Sequence, residues 1–129
     1  MIVIDTSILI SLEHKDEKII KKLGEIFEEH GKGFCITFIN LFEFLFGLKV
    51  KKIRREKEAL SFLKKFPVLN STEFTSKIMA ELKYKYDRKG IVLPLADLII
   101  ASIAIENNAL LITSDKDFEK IDELKKIII

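Results

Sequence analysis

The chain has one cysteine, two prolines, five glycines and no tryptophan. Glutamine is missing altogether. A lone Cys35 excludes an intrachain disulfide and every zinc motif built on paired cysteines, and it fits a reducing cytoplasm. With so little proline and glycine there is no linker and no internal repeat, so residues 1–129 read as a single domain. No apolar run approaches the about 18 to 20 residues that a membrane-spanning helix needs. The apolar start is interrupted by Asp5 and carries no basic leader, so a secretory signal is not expected. A net charge of +2 is too small to argue a nucleic-acid partner from the total. His14 and His30 lie among charged residues, no Ser or Cys has a matching His, and no glycine-rich phosphate loop is present. A nucleophilic triad and a nucleotide loop are therefore unsupported. The missing glutamine, beside abundant Lys, Glu and Ile, resembles proteins of hot habitats.

What is present is a globular balance, 48% apolar and 33% charged. Residues 1–4 form a β-branched run of the kind found in buried parallel strands. Thr6 or Ser7 is placed to cap a short helix over 8–12. Helical spacing from Asp16 ends at Gly31 to Gly33. Residues 34–36 read as a second strand, with Thr37 capping a helix from Phe38 to about Gly47. A basic helix is predicted over 51–65, and an edge strand over 67–69. Asn70 with Glu73 resembles a capping box for a helix to about Lys89. Pro94 suits the first turn of the next helix, which ends near Asn107. Strands follow over 110–112 and 127–129. Short apolar strands alternating with helices predict a three-layer α/β/α sandwich around a central parallel sheet. Ligands of such sheets bind beyond the carboxyl ends of the strands.

Carboxylates occur where apolar residues are expected. Asp97 is the only charged residue between Ile91 and Ile105, and Glu43 the only one between Phe34 and Leu48. Asp5 closes the first strand, and Asp115 follows the strand over 110–112. A lone carboxylate in apolar surroundings costs several kcal/mol unless it is paired or binds a cation. Each also has a plainer reading. Asp5 suits a turn or helix cap, Glu43 an exposed helix stripe with Asn40 and Gly47, and Asp97 the positive end of a helix. Asp115 and Asp117 lie in a turn where Asp is ordinary. If the fold gathers Asp5, Glu43, Asp97 and Asp115, they form a hard-oxygen cage for magnesium or manganese (Mg2+ or Mn2+).

The run from Lys49 to Lys57 holds Lys49, Lys51, Lys52, Arg54 and Arg55 against the single acid Glu56. It reads either as a solvated face or as a surface that tracks RNA phosphates beside the acids. Lys83, Lys85, Arg88 and Lys89 are placed to extend it. Phe38, Leu41, Phe42, Leu45 and Phe46 offer more apolar surface than one core needs. They are candidates for a homodimer interface or a groove for a partner's helix, though plain core packing explains them equally.

MIVIDTS with Asp5, ITFINLFEFLFG with Glu43, ADLIIASIA with Asp97 and LLITSDKDFEKI with Asp115 and Asp117 occur in an order and spacing that resembles the PIN-domain ribonucleases. The likeness is strongest to the VapC-type toxins of prokaryotic toxin–antitoxin pairs, and it covers nearly the whole chain. It implies the Asp5, Glu43, Asp97 and Asp115 quartet around magnesium or manganese, with Asp117 accessory and Thr6 and Thr113 steadying the acids. It also implies a small VapB-like antitoxin as partner, a homodimer, and no membrane. The expected reaction is hydrolysis of single-stranded RNA by water, leaving a 5′-phosphate and a 3′-hydroxyl. A PIN nuclease that matures ribosomal RNA, or a non-catalytic PIN scaffold, are the alternatives. Phosphatase and phospho-receiver readings fail because Asp5 has no neighbouring acid.

Overall fold

The computed structural model describes residues 1–31, 33–52 and 54–129. Strand β1 (Ile2–Ile4) leads into α1 (Thr6–Glu13) and α2 (Glu17–His30). Then come β2 (Phe34–Thr37), α3 (Phe38–Lys51), α4 (Glu56–Leu63) and β3 (Val68–Leu69). The chain continues through α5 (Glu73–Arg88), α6 (Leu95–Glu106), β4 (Leu110–Thr113), a 3-10 turn (Lys116–Lys120) and β5 (Lys125–Ile128). The strands form one five-stranded sheet in the order β3-β2-β1-β4-β5. Every pairing is parallel.

Strand alternation sorts the core into two layers. Ile2, Ile4, Ile36 and Ile112 face one side and pack with Ile8, Leu9, Leu23, Phe44 and Leu63 from α1 to α4. Val3, Cys35 and Leu111 face the other, against Leu82, Tyr86, Leu98 and Ala101 of α5 and α6. The result is the three-layer sandwich expected from the strand and helix pattern. The chain passes from β1 to β2 on one side and later returns to β4 on the other. Strand order therefore reverses between β1 and β4, the crevice where such sheets take ligands. No helix among the described residues is long and apolar enough to cross a membrane.

Three local expectations need correction. The α1 helix begins at Thr6, so Asp5 occupies the cap position, yet its side chain does not cap. Neighbours across the sheet claim it instead. The cap of α5 is Thr72, paired with Thr75 and not Asn70 with Glu73. Both threonine hydroxyls also donate to Glu106 on α6, a tie that Asn70 could not supply. The continuous basic helix is absent, because α3 runs on to Lys51 and ends with Lys52 in the left-handed region at φ 48°. The chain turns helical again only at Glu56, with Glu56 and Glu58 in the first turn of α4. Cations gather at one helix's C-terminus and acids at the next one's N-terminus, as the two dipoles favour. Ile53 lies outside the described residues.

Candidate metal centre

Asp5 leaves β1 pinned to β4, its N–H donating to the Ile112 carbonyl at 2.9 Å. Its buried carboxylate accepts from the Thr113 hydroxyl at 2.6 Å on Oδ2 and from Asn40 Nδ2 at 3.1 Å on Oδ1. Burial pushes the Asp5 carboxyl up, and the charge of Asp115 adds to that, against the Thr113 hydrogen bond that lowers it. Thr6 donates to Glu43 Oε1 at 2.7 Å, joining the start of α1 to the middle of α3. The Ser114 N–H donates to Ser7 Oγ at 3.1 Å, which holds the exit of β4 against α1.

Asp97 sits at the third position of α6, whose cap is Pro94. Burial first, and then the negative charges of Asp115, Asp5, Asp117 and Glu43 in that order, raise its carboxyl to about 6. Every acid singled out in the sequence is thus close enough to Asp97 to be felt. Asp97, Asp115 and Asp117 each place one carboxylate oxygen within 4.8 Å of the others. Asp117 N–H donates to Asp115 Oδ1 at 2.9 Å, so the turn after β4 presents both acids together. Asp117, named as accessory from the sequence, thus shares this cluster with Asp97 and Asp115. Among the described residues no ion pair neutralises Asp5, Glu43, Asp97 or Asp115, and Asp117 has only a loose one, 3.8 Å from Lys120.

This donor set fits a hard divalent cation. It is all oxygen, without nitrogen or sulfur, and among the described residues the loose contact of Lys120 with Asp117 is the one ion pair made to it. Asp97, Asp115 and Asp117 are the ready group, with Asp5 and Glu43 bordering it.

The sequence passed over Asn40 except as part of a polar stripe. It is buried, and it bonds to both Asp5 and Thr6. Its isolation among Phe38, Ile39, Leu41 and Phe42 was the available signal. Lys49, Lys51, Lys52 and Arg54 are exposed and make no ion pair among the described residues, while Arg55 lies 3.9 Å from Glu58. The second basic group is committed to local contacts. Lys85 pairs with Glu123 at 2.9 Å, Lys83 with Asp87 at 3.1 Å, and Arg88 donates to the Tyr84 hydroxyl. Phe42 and Phe46 stack at 6.1 Å between ring centroids and stand exposed on α3.

The PIN-domain family model matches residues 2–124, and the chain belongs to that family. It is 32% identical over 93 residues to ribonuclease VapC2 of Rickettsia felis, which covers 70% of this chain and 69% of that protein. It is also similar to a chain of the Rickettsia felis VapBC2 crystal structure bound to a promoter DNA fragment, at 26% identity and a TM-score of 0.81, covering 100% of this chain and 99% of that one. VapBC-1 from nontypeable Haemophilus influenzae has the same fold, with a TM-score of 0.78 at 21% identity over 99% of this chain and 98% of that one. Family and relative together put the chain among PIN-domain proteins of the VapC type.

Proposed function

We propose that this chain, acting as one PIN domain over residues 1–129, is a magnesium- or manganese-dependent endoribonuclease. We further propose that it is the toxin of a VapBC-type pair. The observation that carries this is the carboxylate group of Asp97, Asp115 and Asp117, whose oxygens lie within 4.8 Å of one another, with four other acids acting on Asp97. Asp97, Asp115 and Asp117 would hold the ion, with Asp5 and Glu43 completing its surroundings. A divalent cation there supplies Lewis acidity and cancels repulsion between the acids and a phosphodiester.

The protein's own part is positioning. Thr113 and Asn40 hold one oxygen each of Asp5. Thr6 occupies Glu43 Oε1, which leaves Oε2 to accept a hydrogen bond from the attacking water. Lys49, Lys51, Lys52 and Arg54 at the end of α3 bind phosphates of single-stranded RNA flanking the cut. Hydrolysis by water leaves a 5′-phosphate and a 3′-hydroxyl.

The similar structures are of VapBC2 bound to promoter DNA and of VapBC-1. We extend a partner of that kind, a small antitoxin, to this chain. The apolar strip of Phe38, Leu41, Phe42, Leu45 and Phe46, in which Phe42 and Phe46 are exposed, is where its helix, or a second copy, would pack. The cytoplasm is the expected compartment.

Cleavage of single-stranded RNA with Mn2+, with end analysis of the products, tests the chemistry. Cleavage that persists in excess chelator refutes metal dependence, and no cleavage with Mn2+ favours the non-catalytic scaffold. Growth arrest on expression alone, relieved by the neighbouring open reading frame and lost in Asp5→Asn, separates a toxin from a nuclease that matures ribosomal RNA.

A further inference from the structure

We infer that Asn40 is a positioning residue that sets Asp5 and Glu43 in one frame, an inference that rests on the metal-nuclease reading above. Asn40 lies in the first turn of α3 and is 0% exposed. Its Nδ2 donates to Asp5 Oδ1 at 3.1 Å and to Thr6 Oγ1 at 3.0 Å. The Thr6 hydroxyl carries the chain onward by donating to Glu43 Oε1 at 2.7 Å. On its other side, Asn40 Oδ1 accepts from the Thr37 N–H at 2.9 Å and the Thr37 hydroxyl at 2.7 Å.

Both amide hydrogens and both oxygen lone pairs are therefore used. The orientation is forced as well. Turned over, the amide would face an oxygen to the Asp5 carboxylate and its NH2 to the Thr37 N–H. Capping α3 requires only the oxygen side of this side chain. The two Nδ2 bonds serve no cap, and both lead to carboxylates of the proposed centre.

Among the described residues no cation pairs with Asp5, and neutral donors fix its plane. Asn40 claims one oxygen and Thr113 the other. Without Asn40, Oδ1 of Asp5 is free to swing, and Thr6 loses the donor that orients its own hydroxyl toward Glu43. Groups that orient metal-binding carboxylates in this way are worth about 10- to 100-fold in affinity or activity.

The test uses the full chain, Mn2+ as the probe and a single-stranded RNA substrate. In Asn40→Ala, the calorimetric Kd for Mn2+ rises about tenfold and kcat falls about tenfold or more, while KM for RNA stays within about twofold. Thr37→Val is the control for the cap: it removes the hydroxyl but leaves both Nδ2 donors. It lowers the melting temperature yet keeps Mn2+ affinity within about twofold. Asn40→Asp guards against misfolding of the alanine variant. It keeps the volume and the acceptor for Thr37 but, ionised, donates to neither Asp5 nor Thr6, and kcat falls about tenfold.

Folded Asn40 variants that match the parent in kcat and Mn2+ affinity overturn the inference and leave the nuclease reading intact. So does a Thr37→Val chain that loses as much Mn2+ affinity as Asn40→Ala. A parent chain that neither binds Mn2+ nor cleaves RNA overturns the nuclease reading, and this inference with it.

Discussion

Thr113 donates its hydroxyl to Asp5 Oδ2 at 2.6 Å across 108 positions of sequence. Thr113 Oγ1 in turn accepts the Asp115 N–H at 2.9 Å. One buried side chain thereby holds the acid after β1 and the turn after β4 in register. Thr113→Val keeps the shape and removes both bonds, leaving an Asp5 oxygen with only the 3.4 Å contact to Ser7. The expected cost is about 1–3 kcal/mol of stability, read by urea unfolding. Cleavage falls about tenfold or more in the same variant.

Asp97→Asn is expected to abolish RNA cleavage and to stabilise the metal-free protein. Its carboxyl is raised to about 6 by burial and then by the surrounding acids, so its ionised form is unwelcome in the fold. At neutral pH without metal, the variant melts above the parent by about 3–6 °C. Added Mn2+ raises the melting temperature of the parent and not of the variant. A metal-free variant that melts below the parent would mean that Asp97 serves the fold through a bond the structure lacks.

The same carboxyl sets a pH dependence with a definite sign. An aspartate titrates near about 3.9 in an unfolded chain, and Asp97 at about 6 in the fold. The folded state binds this proton more tightly, so the stabilisation is complete below the unfolded value and is lost as pH rises through the folded one. Metal-free parent should lose stability relative to Asp97→Asn between about pH 4 and about pH 6, and the gap should then level off. Urea titrations across that window check it.

Lys51→Ala with Lys52→Ala removes two exposed cations from the end of α3. If they meet phosphates, KM for single-stranded RNA rises about 3- to 10-fold with kcat little changed, and the slope of log affinity against log salt falls by about 1. An unchanged slope would leave these lysines as a solvated face.

The Tyr86 hydroxyl donates to Glu123 at 2.6 Å and accepts from the Asp122 N–H at 2.9 Å. It anchors the loop before β5 to α5. Tyr86→Phe should cost about 1–3 kcal/mol in unfolding while leaving RNA cleavage unchanged.

Much of the fold was legible because its signals are local. The β-branched run at 2–4 and the apolar run at 110–112 formed strands, and Thr37 capped α3, as their neighbours in sequence dictate. The boundary between α3 and α4 was also written locally, in the change from Lys52, Arg54 and Arg55 to Glu56 and Glu58, but the sequence reading places it too early, ending the first helix near Gly47 and starting the second at 51. The α5 cap escaped because Glu106, which engages Thr72 and Thr75, is remote in sequence. Of the acids, Asp5, Glu43, Asp97 and Asp115 stood out because each interrupts or follows an apolar run. Asp117 and Asn40 did not, since a turn aspartate and a helix asparagine look alike whether or not they serve a site.

The sequence by itself determined which segments are strands and helices, and which carboxylates stand in costly surroundings. Those follow from periodicity and residue type, which act over a few neighbours. Only the tertiary structure decided that Asp97, Asp115 and Asp117 share one small volume, and that a single amide links Asp5 to Thr6 and onward to Glu43. These are distances between remote side chains. They depend on strand order and on where α3 and α6 meet the sheet, and no local pattern carries that information.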